Sequence, residues 1–514
     1  MANEAILVFN FGGQYCHLIS RRIRERGVYS EIVGSDIQLE ELRRLRQRLD
    51  VKGIVLSGGP SSIYDAGAPR LDQRILEEGL PILGICYGHQ LLAGYLGGKV
   101  VKAKRSEYGF SMVSIDSREG IFKGLSSQEE VWMSHGDTVL SVPEYLRATA
   151  HTDNCPIAAF SHERLPIFGI QWHAEVAHTK NGGKVLDNFI LGICHAKKTW
   201  DAEKKIPEYV GEIKSAVGTS KAIIALSGGV DSSTAAMLAS RALGDGLVAV
   251  FVDTGLMREG EADQIKRMAE KLRINLVTVM AEKQFMKALK GIADPEEKRK
   301  IVGREFINVF EKVAEETGAE YLIQGTIYPD RIESGHSKGS SVIKTHHNVG
   351  GIPENVKFKG IVEPLKDLYK DEVRKLALSL GMSKEMAYRQ PFPGPGFAVR
   401  IIGEVTAKRA ALLRKADSIV ADELSKAGGI KDIWQSFAVL TGIRSTGVKG
   451  DARAYGEVIA IRAVESAEAM TANVARLPYR VLSSISARIT GEIPEVVRVV
   501  YDITDKPPST IEWE

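Results

Sequence analysis

Short apolar runs alternate with stretches of helical periodicity through most of the chain. The clearest runs occupy residues 5–9, 51–57, 81–85, 222–226 and 247–253. Runs of this length without helical spacing are typical of buried parallel strands, and their alternation with helical stretches indicates doubly wound α/β folds. The pattern occurs twice, so we predict two doubly wound parallel-sheet domains whose ligands bind at the carboxyl ends of the strands.

The C-terminal part of the chain has a different pattern. A long helical stretch at 407–426 precedes apolar strands at 437–443, 458–463 and 496–501, which predicts a smaller α+β domain. A rigid segment rich in Pro and Gly at 390–396 suits a boundary before it. A chain of 514 residues favours about three domains. The predicted domains are residues 1–196, 197–393 and 394–514.

Composition and charge narrow the classes of function. With 44% hydrophobic and 26% charged residues, the chain has the balance of a folded protein rather than a disordered one. A net charge of +3 is too small to indicate a nucleic-acid partner, and no apolar run approaches the ~18 residues of a membrane span. The four cysteines form no CxxC pair, which is typical of reduced thiols inside a cell. We therefore predict a cytoplasmic protein without a nucleic-acid or membrane partner.

A turn rich in glycine and serine, SGGVDSS, links the strand at 222–226 to a helix. Glycine permits close approach of a ligand to the backbone, and free amides at a helix start bind anions. An aspartate suits such a site if a divalent cation lies between its carboxylate and a phosphate; the alternative interpretation is an ordinary capped helix start. We predict a nucleotide-phosphate site with Asp231 as the metal ligand. The residues of this turn are Ser227, Gly228, Gly229, Val230, Asp231, Ser232 and Ser233.

A second motif places one cysteine at a sharp turn. Cys86 is the centre of a G-x-C-x-G sequence after the strand at 81–85, which is the cysteine form of a nucleophile elbow. Much later in the chain, His173 ends a predicted strand and Glu175 follows two residues on, so their side chains share one face. A histidine–carboxylate pair can take the thiol proton, whereas the alternative is a buried cysteine and a structural histidine. We predict a Cys86–His173–Glu175 triad.

These motifs resemble two enzyme families. Residues 1 to about 195 resemble class I glutamine amidotransferases through LSGGP at 56–60, GICYGHQ at 84–90 and QWHAE at 171–175. The resemblance implies that Cys86 attacks the glutamine amide and releases ammonia. SGGVDSS resembles the pyrophosphatase loop of the ATP pyrophosphatases, which implies adenylyl transfer from ATP with Mg²⁺. The oxyanion hole and glutamine pocket implied by the resemblance comprise Gly59, Tyr87, Gln90, Ser134, His135 and Gly136.

The whole chain resembles the glutamine-hydrolysing GMP synthase family. The resemblance rests on SGGVDSS after an amidotransferase, GDARAY at 450–455 and KPPSTIEWE at 506–514. It implies a ligase of de novo purine (GMP) biosynthesis that uses XMP, ATP and glutamine and forms adenylyl-XMP. It also implies a homodimer made through the C-terminal domain. The XMP contacts that it implies are Arg299, Gln435, Asp451, Lys506 and Glu512.

Two other functions stay open at this point. The amidotransferase could serve another acceptor, including a tRNA, although a charge of +3 does not favour an RNA surface. The chain could also be a nucleotide sensor with an inactive amidase, an alternative that the intact Cys86, His173 and Glu175 argue against. Residues 334–351, rich in Gly, Ser and His, predict a long loop of the kind that often forms a lid.

Overall fold

The computed structural model describes residues 3–335, 358–428, 433–466 and 472–514. All but the first two residues of the predicted loop at 334–351 therefore lie outside the described residues. The chain divides into two compact units. The first unit extends to Asp201, and the second comprises Ala202–Arg331 and the described chain from 358 onward.

The first unit contains one large sheet. Its strands are β1 (Glu4–Asn10), β2 (Tyr29–Gly34), β3 (Asp50–Leu56), β4 (Ile82–Ile85), β5 (Lys99–Ile115), β6 (Gln128–Ser141), β7 (Leu146–His151), β8 (Ala159–His162) and β9 (Ile167–Ile170). Its helices are α1 (Cys16–Glu25), α2 (Leu39–Arg48), α3 (Tyr87–Tyr95) and α4 (Gly182–Asp187), with short 3₁₀ or π segments at Gln73–Glu77, Gly120–Phe122 and Asn188–Ile193. The strand order is β2-β1-β3-β4-β9-β8-β7-β5-β6. The first five strands in this order pair in parallel, and the others pair antiparallel.

The parallel half of this sheet agrees with the predicted doubly wound pattern. The apolar runs at 5–9, 51–57 and 81–85 form β1, β3 and β4, and all three strands are buried along most of their length. The antiparallel half was not predicted. Much of β5 alternates between buried and exposed positions, as a sheet with one solvated face does, so it lacks the continuous apolar runs on which the prediction relied.

Three turns meet at the carboxyl edge of the parallel strands. The Phe11 amide after β1 donates to Ser57 Oγ after β3 at 3.1 Å, and the Cys86 amide after β4 donates to the Ile170 carbonyl of β9 at 2.8 Å. A Cβ on Gly13 would lie 2.3 Å from the Gly58 carbonyl oxygen, so only glycine allows these turns to approach so closely. The topology therefore gathers residues that are far apart in sequence at one edge.

The second unit contains two sheets. Its strands are β10 (Ala222–Ala225), β11 (Leu247–Asp253), β12 (Leu276–Met280), β13 (Tyr321–Ile323), β14 (Gly360–Val362), β15 (Ile433–Lys449), β16 (Ala452–Glu465), β17 (Asn473–Val474) and β18 (Val496–Asp502). Its helices are α5 (Ile206–Val217), α6 (Val230–Leu243), α7 (Glu261–Lys271), α8 (Glu282–Ala288), α9 (Pro295–Thr317), α10 (Tyr328–Gly335), α11 (Lys370–Ser379), α12 (Lys384–Ala387), α13 (Ala407–Lys426) and α14 (Tyr479–Glu492), with 3₁₀ segments at Glu203–Lys205, Gly244–Gly246 and Gly396–Arg400.

The two sheets of the second unit confirm the predicted fold class. The order β12-β11-β10-β13-β14 is parallel throughout, as a doubly wound sheet requires. In the other sheet β15, β16 and β17 are antiparallel, and β18 pairs in parallel with β16. The predicted helix at 407–426 is α13, whereas β15 and β16 extend well beyond the predicted apolar runs because they form a long hairpin.

One hydrophobic core joins the two sheets of the second unit. It contains Val250 of β11, Phe397 of the linking 3₁₀ segment, Leu413 of α13 and Ile485 of α14, all of them buried. Burial of such side chains contributes ~1.5–3 kcal/mol each, so the α+β part is held to the parallel sheet by apolar packing. None of the helices in the described ranges is both long enough and apolar enough to cross a lipid bilayer.

Candidate functional site

Cys86 occupies a strained turn between β4 and α3. Its φ is 54° and its ψ is −105°, a conformation that is uncommon for a residue with a side chain and occurs often at functional sites. The flanking glycines explain why the turn can be so tight. A Cβ on Gly84 would lie 2.5 Å from the Gly88 carbonyl oxygen, and a Cβ on Gly88 would lie 2.5 Å from the Leu56 carbonyl oxygen. The turn therefore fixes the thiol at the carboxyl edge of the sheet.

The structure brings Cys86, His173 and Glu175 together. His173 Nδ1 lies 2.7 Å from Glu175 Oε1, and both side chains are buried. Burial lowers the pKa of His173, but the Glu175 carboxylate and the Cys86 thiol more than offset this, so the pKa is raised well above its usual value. Gly58 lies beside both reactive groups, since its Cβ would be 3.1 Å from His173 Cε1 and 3.6 Å from Cys86 Cβ. This arrangement can accept a thiol proton and hold it as an imidazolium.

Replacement of Glu175 by Gln is expected to lower the turnover of glutamine by about 10²- to 10⁴-fold. The neutral amide no longer holds the pKa of His173 high, so burial lowers that pKa. The limb of the pH–activity profile that reports loss of the His173 proton should therefore move to lower pH. Glutaminase activity measured from pH 5 to 10 checks this. Glu163→Gln, at an exposed position of the same unit, should leave the profile unchanged, and an unshifted Glu175→Gln profile would contradict the pairing.

The His173 backbone is held by a third element. Its amide donates to the Trp132 carbonyl of β6 at 3.1 Å. Thr179 Oγ1 donates to the His173 carbonyl at 2.6 Å and accepts from the Trp132 amide at 3.1 Å. The ring of Tyr15 packs edge-on against the imidazole, with 5.0 Å between ring centroids. No local motif marks Tyr15 or Thr179 in the sequence, because their role depends on the fold.

Two backbone amides beside the thiol are available to a ligand. Among the described residues, neither the Gly59 amide nor the Tyr87 amide donates a hydrogen bond. Gly59 has no room for a side chain, because its Cβ would lie 2.6 Å from the Phe11 carbonyl oxygen. Free amides at a strand-to-helix turn can stabilise an oxyanion, so this geometry agrees with the predicted role of both residues.

The predicted glutamine pocket divides into buried supports and an exposed rim. His135 is buried, with Nε2 3.0 Å from Glu107 Oε2 and Nδ1 2.8 Å from the Asp137 carbonyl oxygen. Burial penalises the Glu107 carboxylate, but hydrogen bonds from His135 and Thr152 hold its pKa below the usual range. Glu107 carries no sequence signal and was missed.

Of the other predicted pocket residues, Ser134 lies beside the thiol. Gln90 is buried, and its side-chain amide donates to the Asp137 carbonyl at 2.9 Å. Ser134 is exposed on β6, and its carbonyl oxygen is 3.5 Å from Cys86 Sγ. Gly136 follows on the same strand. A ligand at Cys86 would therefore lie near Ser134, whereas the side chains of Gln90 and His135 both bond to the Asp137 carbonyl oxygen of β6.

The SGGVDSS turn of the second unit connects β10 to the first turn of α6. Gly228 has φ +77°, a conformation that favours glycine. Ser227 Oγ and Ser232 Oγ lie 3.1 Å apart, and Ser232 Oγ also lies 3.4 Å from the Ser227 amide. A Cβ on Gly325, after β13, would lie 2.9 Å from the Ser232 amide nitrogen. The hydroxyl groups and the helix start thus surround a cradle that suits a diphosphate.

Two polar atoms of this turn have no hydrogen-bond partner among the described residues. Ser233 Oγ is one, and Asp231 Oδ1 is the other; both atoms are buried. The second carboxylate oxygen, Asp231 Oδ2, forms an ion pair with Lys370 of α11. A hard carboxylate oxygen without a partner beside a phosphate cradle fits Mg²⁺, which usually takes one or two carboxylates together with substrate phosphates. Lys370 was not predicted, since it lies 139 residues from Asp231 along the chain.

Two of the residues predicted to bind XMP meet around a buried arginine. Glu512 Oε1 accepts from Arg400 Nη2 at 2.8 Å and from Gln435 Nε2 at 2.9 Å, and Glu512 Oε2 accepts from Arg400 Nε at 3.0 Å. Arg400 is completely buried and lies 3.9 Å above the Phe437 ring centroid. A bidentate pair of this kind fixes the plane of the carboxylate. Arg400 was missed, because its role depends on a partner 112 residues away.

Replacement of Arg400 by Met is expected to destabilise the second unit by about 3 kcal/mol, because it leaves the Glu512 carboxylate without its bidentate partner. Urea unfolding followed by circular dichroism measures the loss. Arg267→Met removes an exposed arginine of α7 in the same unit and should cost less than about 0.5 kcal/mol. Glu512→Gln in the Arg400→Met background should restore part of the stability. Equal losses from Arg400→Met and Arg267→Met would refute the role of the buried pair.

The other predicted XMP contacts are distributed differently. Arg299 of α9 donates to the main-chain carbonyl oxygen of Glu514, so it lies beside the C-terminal tail. Lys506 pairs through its backbone with Ala472. Asp451 lies in the turn of the β15–β16 hairpin and has a φ of 59°. At ~3.3 Å per residue, this turn is about 45 Å from Gln435 along the strands. Within one chain the structure therefore does not bring Asp451 to the other predicted contacts.

Known families match both units. The family Glutamine amidotransferase class-I matches residues 7–193, NAD synthase matches 202–309, and GMP synthase C terminal domain matches 422–513. The first region contains the triad geometry, and the second contains the phosphate cradle. Fold and families together define a class I glutamine amidotransferase fused to an ATP pyrophosphatase of the NAD synthase type.

Curated relatives match the chain over its full length. The glutamine-hydrolyzing GMP synthase of Caldanaerobacter subterraneus subsp. tengcongensis is 50% identical over 513 residues, which are 99% of both chains. That of Aquifex aeolicus is 50% identical over 515 residues and covers 100% of both chains. That of Geobacillus kaustophilus is 50% identical over 516 residues, again 100% of both. The chain belongs to the glutamine-hydrolysing GMP synthase family.

Proposed function

We propose that this chain is a ligase that makes GMP from XMP, ATP, glutamine and water, with AMP, pyrophosphate and glutamate as the other products. One observation carries this proposal: the chain contains both a thiol–imidazole–carboxylate site and a diphosphate cradle. The same chain is 50% identical to GMP synthases over its full length. One site liberates ammonia, and the other activates the acceptor. Because XMP and GMP are purine nucleotides, the reaction belongs to purine nucleotide biosynthesis.

In the first unit Cys86 is the nucleophile. Its Sγ attacks the side-chain amide carbon of glutamine while His173 accepts the thiol proton, and Glu175 holds the imidazolium that forms. The amides of Gly59 and Tyr87 bind the developing oxyanion. His173 then gives the proton to the leaving ammonia, and water hydrolyses the thioester to release glutamate and restore the thiol. The raised pKa of His173 suits a group that must hold this proton between the two steps.

In the second unit the C2 oxygen of XMP attacks the α-phosphorus of ATP. The bond to the β-phosphate oxygen breaks, and pyrophosphate leaves within the cradle of residues 227–233. Ammonia then attacks C2 and displaces AMP, which gives GMP. The free Asp231 Oδ1 supports a role as metal ligand; when bound, Mg²⁺ would neutralise charge on the phosphates. Gln435, Glu512, Arg299, Lys506 and Asp451 complete the proposal as XMP contacts.

The domain division, the dimer and the location belong to the same proposal. The proposed division at 196/197 falls between the family matches at 7–193 and 202–309. The proposed division at 393/394 falls between the matches at 202–309 and 422–513, within a unit whose parts share one hydrophobic core. A dimer made through the C-terminal domain is supported by Ile443, Val448 and Tyr455, which are more than 60% exposed on the β15–β16 hairpin. The position of Asp451 at the tip of that hairpin suits a contact with XMP bound to a second copy. Sedimentation equilibrium tests the dimer.

The four unpaired cysteines support a cytoplasmic location.

XMP-dependent exchange of labelled pyrophosphate into ATP tests the proposed reaction most directly. Exchange requires adenylyl transfer to the acceptor and does not depend on the amidase. We expect exchange with XMP and none with IMP, AMP or bulk tRNA, and we expect AMP rather than ADP as the nucleotide product when ammonium is added. Release of ADP and orthophosphate, or exchange that depends on tRNA, would exclude the proposed function.

A further inference from the structure

The side-chain amide of Gln90 has a defined orientation. Its Nε2 lies 2.9 Å from the Asp137 carbonyl oxygen and 3.2 Å from Gln171 Oε1. A backbone carbonyl can only accept a hydrogen bond, so the amide nitrogen of Gln90, not its oxygen, must face Asp137. The nitrogen carries two hydrogens, and the second is directed to Gln171. The ambiguity that usually attends a glutamine amide is removed here by a main-chain group.

The orientation of Gln90 fixes that of Gln171. Gln171 is completely buried after β9, and its side-chain oxygen must face the Gln90 amide group that donates to it. The nitrogen of Gln171 therefore points the other way, where Nε2 lies 3.7 Å from Cys86 Sγ. A fixed N–H donor consequently faces the reactive sulfur, held there by a chain of hydrogen bonds that begins at the Asp137 carbonyl oxygen.

Each protonation state of the sulfur has its own partner. A thiol needs an acceptor, and the Ser134 carbonyl oxygen lies 3.5 Å from Sγ. A thiolate needs a donor, and Gln171 supplies one. Hydrogen bonds to a charged acceptor are roughly twice as strong as neutral ones, so the Gln171 amide favours the thiolate. The other titratable groups around this place are His173 with Glu175 on one side, and on the other the His135–Glu107 pair, which shares the Asp137 carbonyl oxygen with Gln90.

We propose that Gln171 is a catalytic residue that stabilises the Cys86 thiolate by direct hydrogen bonding, and that Gln90 is the residue that positions its amide. The inference deepens the proposed amidase function and rests on it. In this role Gln90 uses its amide nitrogen, and its amide oxygen stays available for the place in the glutamine pocket that the resemblance implies. The amide of Gln171 adds a fourth side chain to the thiol, imidazole and carboxylate at the sheet edge.

The rate of Cys86 alkylation by iodoacetamide, measured against pH in the full-length chain without glutamine, tests the proposal. Gln171→Glu keeps the acceptor that Gln90 requires but replaces the donor at sulfur by an oxygen. We expect alkylation at pH 7 to slow by about 10- to 100-fold, its midpoint to move to higher pH, and its limiting rate at high pH to be retained. Glutaminase kcat should fall by a similar factor, with KM for glutamine within about twofold. Gln128→Glu, at an exposed position of the same unit, should change neither measurement.

A second variant protects the test against a misfolded protein. Gln90→Met leaves Gln171 in place but frees its amide to rotate, so alkylation at pH 7 should slow by a smaller factor in the same direction. If near-UV circular dichroism shows that Gln171→Glu is unfolded, the alkylation profile of Gln90→Met decides whether the proposal holds. A wild-type pH profile in the folded variant overturns the proposal. Alkylation needs no substrate, so it tests Gln171 separately from the amidase function. If the wild-type chain has no glutaminase activity but the variants still shift the alkylation profile, the amidase function is contradicted and the donor role of Gln171 is supported.

Discussion

A Cys86→Ala variant is expected to lose glutamine-driven GMP formation by at least about 10³-fold and to form GMP from added ammonium at the rate of the unchanged chain. Alanine removes the only atom of this residue that can attack the glutamine amide carbon, and no ammonia is then liberated. Adenylyl transfer uses residues of the second unit and does not require the thiol. GMP formation at saturating XMP and ATP, measured first with glutamine and then with ammonium chloride at pH 8.5, gives both numbers.

Cys155→Ala is a matched control for this variant. Cys155 is also a buried cysteine of the first unit, but burial raises the pKa of its thiol to about 12, and its sulfur accepts a hydrogen bond from Thr138 at 3.1 Å. It should behave as a packed side chain, and its replacement should leave both nitrogen sources usable. A Cys86→Ala chain that also fails with ammonium would contradict the separation of the two sites, and one that still uses glutamine would place the nucleophile elsewhere.

The parts of this protein that the sequence predicted are those with a local signature. An apolar strand, a glycine turn and a helix stand next to each other around Cys86 and around Ser227, so each motif carries its own structural context. His173 and Glu175 meet as predicted, but the strand predicted to end at His173 is shorter: β9 ends at Ile170, and both residues lie in the irregular segment that follows it. The parallel order of strands then joins these segments, because strand ends lie at one edge of a parallel sheet.

The missed residues have partners far away in the chain. Glu107 meets His135 across the β5–β6 pair, Lys370 meets Asp231 from α11, and Arg400 meets Glu512. Each is a single charged residue in an ordinary sequence context, and only burial beside an opposite charge gives it a role. The sequence could not reveal these pairs, because the interaction exists only once the fold has brought its two halves together.

Asp451 illustrates the opposite difficulty. Its motif implies an XMP contact, yet the hairpin register pairs Lys449 with Ala452 and leaves Gly450 and Asp451 as a two-residue turn. Both turn residues have positive φ, as the favoured turns of two-residue hairpins require. The same residues that identify the family therefore also specify a turn at the far end of a long ladder. A motif predicts that a residue contacts the ligand, but the strand register determines whether that ligand is bound to the same chain or to a second copy.

An Asp231→Asn variant is expected to lose GMP formation with both glutamine and ammonium by at least about 100-fold, because adenylyl transfer is common to the two nitrogen sources. Asparagine keeps the shape of the side chain but removes its charge, so the buried Oδ1 no longer attracts a divalent cation and the ion pair with Lys370 is lost. Loss of several kcal/mol of charge stabilisation in the transition state gives an effect of this size. XMP-dependent pyrophosphate exchange at a series of Mg²⁺ concentrations measures it, and the variant should require more Mg²⁺ to reach half of its own maximal rate.

Asp245→Asn is the control, because Asp245 is exposed in the same unit after α6. It should exchange pyrophosphate at the rate and Mg²⁺ dependence of the unchanged chain. The glutaminase activity of the Asp231→Asn chain gives a second control, since the triad lies in the other unit and hydrolysis of glutamine needs no phosphate cradle. Retained synthesis with ammonium would show that Asp231 serves only to pair with Lys370. Slower synthesis with an unchanged Mg²⁺ requirement would mean that another residue binds the cation and that Asp231 is needed for the structure of the turn. The Mg²⁺ series therefore distinguishes a metal ligand from a structural carboxylate.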